Sequence, residues 1–388
     1  MKEPTKLIHS SRPNGVPDHP VNPPIERAST ILFSDYDAFL DGKRSIRYGR
    51  LGTSTHRQLE DIVTELECGV ATHLAPSGLQ ACIAAILAFV QTGDHVLMAD
   101  GVYDPTRKFA DGFLKRFGVE TTFFDPMIGD RITELLRPNT KVIYTEAPSS
   151  LTFEVGDITA LATARNQDDV TVIVDNTWSA GVYYKPLSLG ADVSIQAGTK
   201  YLAGHSDCLI GTITSASEQT ANAVFRSLLR IGSSVSADDA YLTLRGIRTL
   251  TTRLKQHETN ATILCEWLTN HDDVKTVLYP ALSTCVGHAN WKQHFTGSSG
   301  LFSIILKRNH ERALRAFHDA LRLFGMGYSW GGYESLCIPC DPKPIRTATR
   351  WQETGPLLRL HAGLEDPEDL IYDLENAFNV MAAVKLID

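Results

Sequence analysis

Two residues in the middle of the chain carry chemistry together that neither carries alone. Asp175 ends the apolar run Val170-Thr171-Val172-Ile173-Val174 and opens Asn176-Thr177-Trp178. Lys200 closes Ser194-Ile195-Gln196-Ala197-Gly198-Thr199, just past a second short strand pattern, and Gly204-His205-Ser206-Asp207 follows. A lysine amine can condense with an aldehyde. A carboxylate at a nearby strand end can keep a ring nitrogen protonated. Singly, the plain readings are commoner: an Asp after a strand is usually a cap or turn residue, and a lone lysine usually sits in solvent.

Three further local patterns point to the same chemistry. Ala75-Pro76-Ser77-Gly78-Leu79-Gln80 reads as a strand-to-helix turn whose Ser77 and Gly78 N–H groups would be free to bind an anion. Tyr48 and Arg50, two apart in an extended stretch, point the same way and can grip one phosphate. Tyr103, in Gly101-Val102-Tyr103-Asp104-Pro105, follows a strand and can stack on a ring. Each has an ordinary reading: a capped helix, a surface arginine beside a packed tyrosine, a half-buried aromatic. As a set they describe a site for pyridoxal 5'-phosphate (PLP), with ring stacker, phosphate turn, pyridine carboxylate and aldehyde-binding lysine.

The surrounding elements must bring these residues to one edge. Apolar strands are expected at His95–Met98, Val119–Phe124, Lys141–Thr145, Thr171–Val174, Asp192–Ile195 and Leu209–Thr212. Helices are expected at Ser54–Glu67, with Leu59, Ile62, Val63 and Leu66 on one stripe, and at Ser77–Gln91, Pro105–Phe117 and Gly129–Leu136. Such alternation predicts an α/β fold with a mostly parallel sheet covered on both faces, and ligands at the carboxyl ends of strands. Pro13, Pro17, Pro20, Pro23 and Pro24 forbid a long helix near the start, so residues 1–55 read as an extended arm lying on its own body or on a neighbouring subunit. A large domain over 56–250 and a smaller α/β domain over 251–388 follow. The latter contains a strand at Gly300–Leu306 and helices at His310–Leu321 and Asp366–Val384. A helical region from about residue 236 to Asn270 is expected to break at Gly246.

Composition narrows the alternatives. With 388 residues, 43% of them hydrophobic and 21% charged, a large core is affordable and the chain reads as soluble and globular. The net charge of −8 and the lack of a basic block argue against nucleic acid and anionic membranes. Nothing approaches a membrane span, and no apolar stretch follows Met1–Lys6, so a cytoplasmic enzyme is expected. Seven scattered cysteines suit reduced thiols better than a disulfide framework. Cys337-Ile338-Pro339-Cys340 lacks the two further ligands a zinc site needs, so no metal is expected.

Over nearly its whole length the chain resembles the Cys/Met-metabolism family of fold type I PLP enzymes, whose fold is PLP-dependent transferase-like. The resemblance rests on Tyr48-Gly49-Arg50, Val174-Asp175-Asn176-Thr177-Trp178, Thr199-Lys200-Tyr201-Leu202-Ala203-Gly204-His205-Ser206-Asp207 and Arg245-Gly246-Ile247-Arg248-Thr249-Leu250. Tyr328-Ser329-Trp330-Gly331-Gly332-Tyr333-Glu334-Ser335 and Leu358-Arg359-Leu360-His361-Ala362-Gly363-Leu364-Glu365-Asp366 match its β-eliminating form. The resemblance implies that Lys200 holds PLP, that Asp175 pairs with the pyridinium nitrogen, and that Tyr103 stacks on the ring and assists proton transfer. It implies phosphate contacts from the Ser77 turn, through the Gly78 and Leu79 backbone, and from Thr199. It further implies that Tyr48 and Arg50 reach into a neighbouring subunit of a homotetramer built from two dimers, Tyr48 also touching substrate. Arg359, supported by Ser329 and Trp330, would bind the substrate carboxylate. One departure is Ala197, where many relatives carry a serine that adds a hydroxyl to the phosphate site.

The implied reaction is β-elimination at a carbon–sulfur bond, with cystathionine as the leading thioether substrate and methionine biosynthesis as the setting. Alternatives are cysteine desulfhydration, cleavage of another cysteine S-conjugate, γ-elimination or γ-replacement, and a silent PLP-fold binding protein. Alanine racemisation is a plausible side activity. The presence of Lys200, Asp175 and Arg359 weighs against the silent form, and Trp330 weighs against the γ-specific forms.

Overall fold

A computed structural model describes residues 1–10, 18, 20–41, 46–165 and 169–384. Seven strands form the larger sheet: β1 (Ala71–Ala75), β2 (His95–Ala99), β3 (Glu120–Phe124), β4 (Thr140–Glu146), β5 (Thr171–Asp175), β6 (Val193–Gln196) and β7 (Gly211–Ser215). Their order is β1-β7-β6-β5-β4-β2-β3. The expected parallel core is present: β3, β2, β4, β5 and β6 all pair in parallel. β7 alone runs against both neighbours, β1 and β6. Strand direction is not written in local periodicity, so nothing in the sequence separates β7 from the rest.

The sheet reads as continuous apolar runs because it is covered on both sides. All five residues of β2 and all four of β6 are buried. Val172, Ile173 and Val174 of β5 are fully enclosed, each such burial contributing about 1.5–3 kcal/mol before entropy is counted. The amphipathic stretch Ser54–Glu67 forms the helix expected of it. Its Leu59, Ile62, Val63 and Leu66 pack against Ala240, Leu244 and Ile247 of the helix Ala237–Ile247.

Several boundaries differ from expectation. Pro105–Phe117 is not one helix but an α-helical turn, Asp104–Lys108, running into a π-helical turn, Phe109–Leu114. Gly129–Leu135 is 3-10 rather than α-helical. The helical region near 236–270 breaks after Ile247, before Leu250–Thr269, and not at Gly246. Gly246 is helical and bare for another reason: a Cβ there would lie 2.1 Å from the Ala203 carbonyl oxygen, so glycine lets this helix touch the turn following Lys200. Before Ser54 only short helical elements occur among the described residues, Glu3–His9, Tyr36–Leu40 and the 3-10 turn Gly49–Leu51. Pro13 and Pro17 lie outside the described residues.

The second sheet contains β8 (Val274–Leu278), β9 (Leu301–Leu306), β10 (Leu336–Cys340) and β11 (Leu357–His361) in the order β10-β11-β9-β8, every pair antiparallel. A clasp ties its β10–β11 loop to the larger sheet. Asp100, fully buried just past β2, accepts from the Thr347, Ala348 and Thr349 backbone N–H groups at 2.9–3.1 Å and from Arg107 Nη1 at 2.8 Å.

Candidate active site

Strand direction decides which residues meet. The carboxyl ends of β1, β2, β4, β5 and β6 share one edge, and β7 starts there, with Ala75 opposite Gly211. Ser77, Tyr103, Asp175 and Lys200 all follow or end those strands. They line one cleft of about 1090 Å³, its open mouth included, together with Gly78, Leu79, Thr199, Ser329, Trp330 and Arg359.

Asp175 lies at the floor. Its Oδ1 accepts from the Thr177 N–H at 3.0 Å and the Thr177 hydroxyl at 2.5 Å, and its Oδ2 faces the Cys82 thiol at 3.7 Å. Burial pushes its carboxyl upward, while the Thr177 bonds, Cys82 and the charge of Lys200 oppose the rise. Thr177 also accepts from the Ala197 N–H at 2.9 Å, so it links the ends of β5 and β6. Neither Thr177 nor Cys82 was singled out from sequence. The spacing Asp-Asn-Thr was a legible signal, because an Asp side chain commonly takes the N–H two residues on.

Lys200 donates to Ser329 Oγ at 2.7 Å, and its Nζ lies 5.5 Å from the Trp330 ring centre. Its amine is lowered to about 8, first by burial and then by Arg359, with Asp175 pulling the other way. Arg359 projects from β11 and donates from Nη2 to the Ser329 carbonyl at 2.9 Å. Ser329 therefore meets both cations, from a backbone at φ 79°, the left-handed region that non-glycine residues rarely occupy. Two residues after Arg359 on the same strand, His361 supports this turn: Nε2 accepts from the Gly331 N–H at 3.1 Å and Nδ1 donates to the Glu334 carbonyl at 3.0 Å. Burial and the adjacent His257 hold His361 well below the usual imidazole range, so it stays neutral.

At the other end, Ser77 caps the helix Gly78–Leu87 by accepting from the Gln80 N–H at 3.1 Å. The Gly78 and Leu79 N–H groups are left at the helix start, and both residues line the cleft. A Cβ on Gly78 would sit 2.4 Å from the Ala197 Cβ, so only glycine lets the helix start approach the end of β6 this closely. The Thr199 hydroxyl accepts from the Ile210 N–H at 2.9 Å and donates to the Ile210 carbonyl at 3.1 Å. Tyr103 flanks the cleft, half exposed, and its N–H donates to Glu146 Oε2 at 2.6 Å.

Tyr48 and Arg50 are not brought to this cleft within the chain. They line a separate groove with Arg27, Ser29, Thr53, His56 and Asp238, where Arg50 Nη1 donates to the Leu229 carbonyl at 3.3 Å. Among the described residues there is no group of three or more His, Cys, Asp or Glu suited to a metal, and no helix is long and apolar enough to cross a membrane.

The cleft suits a phosphorylated pyridine aldehyde. Its buried carboxylate keeps one oxygen with only a thiol neighbour, its lysine has a lowered amine, and its helix start approaches the β-sheet edge through a glycine. Comparison with known proteins agrees. The model of the family described as Cys/Met metabolism PLP-dependent enzyme matches residues 4–379. The chain is 44% identical to a cystathionine beta-lyase of Salmonella typhimurium, over 96% of this chain and 97% of that protein. It is 43% identical to one of Haemophilus influenzae, over 97% and 98%. A cystathionine gamma synthase of Xanthomonas oryzae pv. oryzae, solved with cystathionine, superposes with a TM-score of 0.90 at 28% identity over 99% of both chains.

Proposed function

We infer, for a chain that belongs to the Cys/Met metabolism PLP-dependent enzymes, that it cleaves the carbon–sulfur bond of L-cystathionine by β-elimination. Water is consumed, and homocysteine, pyruvate and ammonia are released. The observation that carries this reading is the contact of Lys200 with Ser329 beside Trp330 and Arg359, on a chain 43–44% identical to two cystathionine β-lyases over nearly its full length.

PLP, when bound, supplies an electron-withdrawing ring that weakens the bonds at the substrate Cα. The residues do the rest. Lys200 holds the cofactor at rest and afterwards moves the proton at Cα. An amine near 8 leaves a useful neutral fraction at neutral pH, which an ordinary lysine near 10.4 does not. Asp175 keeps the ring nitrogen protonated, and its burial makes that charge pairing strong. Tyr103 covers the ring face. The Gly78 and Leu79 N–H groups receive phosphate, with Thr199 alongside. Arg359 forks onto the substrate carboxylate, and its bond to the Ser329 carbonyl sets its approach. Lys200 or Tyr103 protonates the departing sulfur.

The same reading makes the protein a cytoplasmic enzyme of methionine biosynthesis and a homotetramer of two dimers. Its arm, residues 1–55, would deliver Tyr48 and Arg50 to the phosphate of a neighbouring subunit, with 56–250 binding PLP and 251–388 carrying Arg359. The exposure of Tyr48, Leu32, Tyr36 and Phe39 on one chain supports an arm made to be covered.

A product assay across cystathionine, cystine and cysteine tests the reading. Pyruvate from cystathionine at the highest kcat/KM supports it. 2-Oxobutyrate as the main keto acid would assign γ-elimination, and a preference for cysteine or cystine would assign a desulfhydrase.

A further inference from the structure

Glu146 ends β4, and Asp175 ends β5. The two strands are parallel and in register, with Glu146 directly opposite Asp175. Register partners on neighbouring strands point to the same face at a strand spacing of about 4.8 Å, and both carboxyls line the cleft. Two carboxylates so placed do not both ionise without a cation between them. Their partners are unequal. Asp175 has the Thr177 N–H, the Thr177 hydroxyl and the Cys82 thiol. Glu146 has the Tyr103 N–H.

We propose that Glu146 is a positioning residue that carries the proton of a Glu146–Asp175 carboxyl pair. The negative charge is thereby confined to Asp175, and the Tyr103 backbone is fixed over the cleft. The assignment extends the reading of Asp175 as the partner of the pyridine nitrogen and rests on it. Asp175 concentrates the donors that stabilise an anion, and the charge of Lys200 acts on Asp175, whereas no cation acts on Glu146. Burial and then the charge of Asp175 move the Glu146 carboxyl well above the usual range, opposed only by the Tyr103 N–H. The phenol of Tyr103 is raised by burial first, and by Cys82, Glu146 and Asp175 after it. A neutral Glu146 removes one of these repulsions and leaves the Tyr103 hydroxyl a proton donor. The Glu146 Oε2 bond reaches Tyr103 at the residue that caps Asp104–Lys108, so it sets where that helix begins.

The test compares Glu146→Gln with Glu146→Ala. Glutamine keeps an acceptor for the Tyr103 N–H and is always neutral. E146Q should therefore retain PLP affinity and kcat/KM within about twofold of the parent. E146A leaves that N–H without a partner and should weaken PLP binding roughly tenfold. Infrared difference spectra of parent minus E146Q, on the PLP-free and PLP-loaded protein at neutral pH, should show a protonated-carboxyl stretch assignable to Glu146. Carboxylate bands in its place would overturn the proposal, as would E146Q losing as much PLP affinity as E146A. If E146A fails to fold, E146Q and the infrared comparison still decide. The PLP-free spectrum reports on Glu146 even if the protein proves to act on another substrate, so the two readings fail separately.

Discussion

Lys200, just past β6 of the larger sheet, and Ser329, ahead of β10 of the smaller one, meet at 2.7 Å, the lysine donating and the serine hydroxyl accepting. The same serine's carbonyl takes Arg359. A hydroxyl and a carbonyl of one residue thus hold the Lys200 amine and the Arg359 guanidinium at a fixed separation.

Ser329→Ala removes only the hydroxyl. Arg359 keeps its carbonyl partner, so KM should change little while kcat falls about fivefold to tenfold, matching one lost hydrogen bond. Steady-state kinetics with cystathionine decides it; a rise in KM at constant kcat would place the serine in ground-state binding instead. Arg359→Ala should do the reverse, raising KM by the loss of a charge-assisted contact of about 2–5 kcal/mol.

The lowered amine of Lys200 has a kinetic signature. Condensation with an aldehyde needs the neutral amine. The rate of PLP uptake by the cofactor-free protein should rise with pH through about 8 and then level off. Stopped-flow absorbance at several pH values measures this. A midpoint near the ordinary lysine value of about 10.4 would show that burial and Arg359 do not act as argued. Lys200→Ala should show no visible PLP band and no turnover.

Gly78→Ala places a methyl group 2.4 Å from the Ala197 Cβ. The helix start must retreat, at a cost of about 1–3 kcal/mol. PLP retention on dialysis should fall while Ser77 still caps the helix, so a spectroscopic titration of PLP should weaken more than the thermal midpoint drops. Unchanged PLP affinity would remove the Gly78 turn from the phosphate site.

If Tyr48 and Arg50 serve a neighbouring subunit, mixing should show it. Arg50→Ala and Lys200→Ala proteins, each poorly active or inactive, should regain activity when unfolded together and reassembled. Random pairing restores one intact site in each hybrid pair, about a quarter of the parent's sites. No recovery above the sum of the separate proteins would confine Arg50 to its own chain.

The Asp100 clasp makes a pH-dependent contribution to stability. Burial alone would raise this carboxyl, but the Thr347 and Thr349 donors and Arg107 outweigh it and the net shift is downward. A carboxyl lowered on folding adds stability above its unfolded value, about 3.9, and loses it as pH falls through the folded value. Asp100→Ala should cost about 3–5 kcal/mol at neutral pH by leaving Arg107 buried and unpaired. The difference in urea midpoint between parent and variant should narrow in acid. A constant difference across pH would assign the loss to packing alone.

Much of this was legible in the chain because the chemistry lies at strand ends, and strand ends are marked by the change from apolar run to turn residues. Asp175 and Lys200 stood out for that reason, and Ser54–Glu67 for its apolar stripe. The smaller sheet was harder to read. Only β9 reads as a plain apolar strand, since β10 carries Pro339 and two cysteines, and β11 alternates Arg359 and His361 with leucines. The β10 pairing with β11 comes from sixteen intervening residues being tied to Asp100 and elsewhere, which no local window reveals. Gly246 misled because a glycine in a helical pattern usually marks a break, whereas here it answers a tertiary contact. Glu146 is not legible from any local window, because its meaning depends on which residue of β5 stands opposite.

The reversed direction of β7 has a consequence for how the lysine is held. The chain leaves the sheet at Gln196 and returns to the same edge at Gly211. Thr199 and Ile210 close that excursion with three hydrogen bonds: the Thr199 N–H to the Ile210 carbonyl at 3.1 Å and two through the hydroxyl. Lys200 is therefore anchored on the closed neck of a loop rather than on its free span. The outer residues His205, Ser206 and Asp207 are exposed, and Ser206 donates to Glu334 at 2.6 Å, so the loop's far end is tied to the turn that carries Ser329. One threonine at the neck and one serine at the tip thus hold the loop that carries the lysine at both ends.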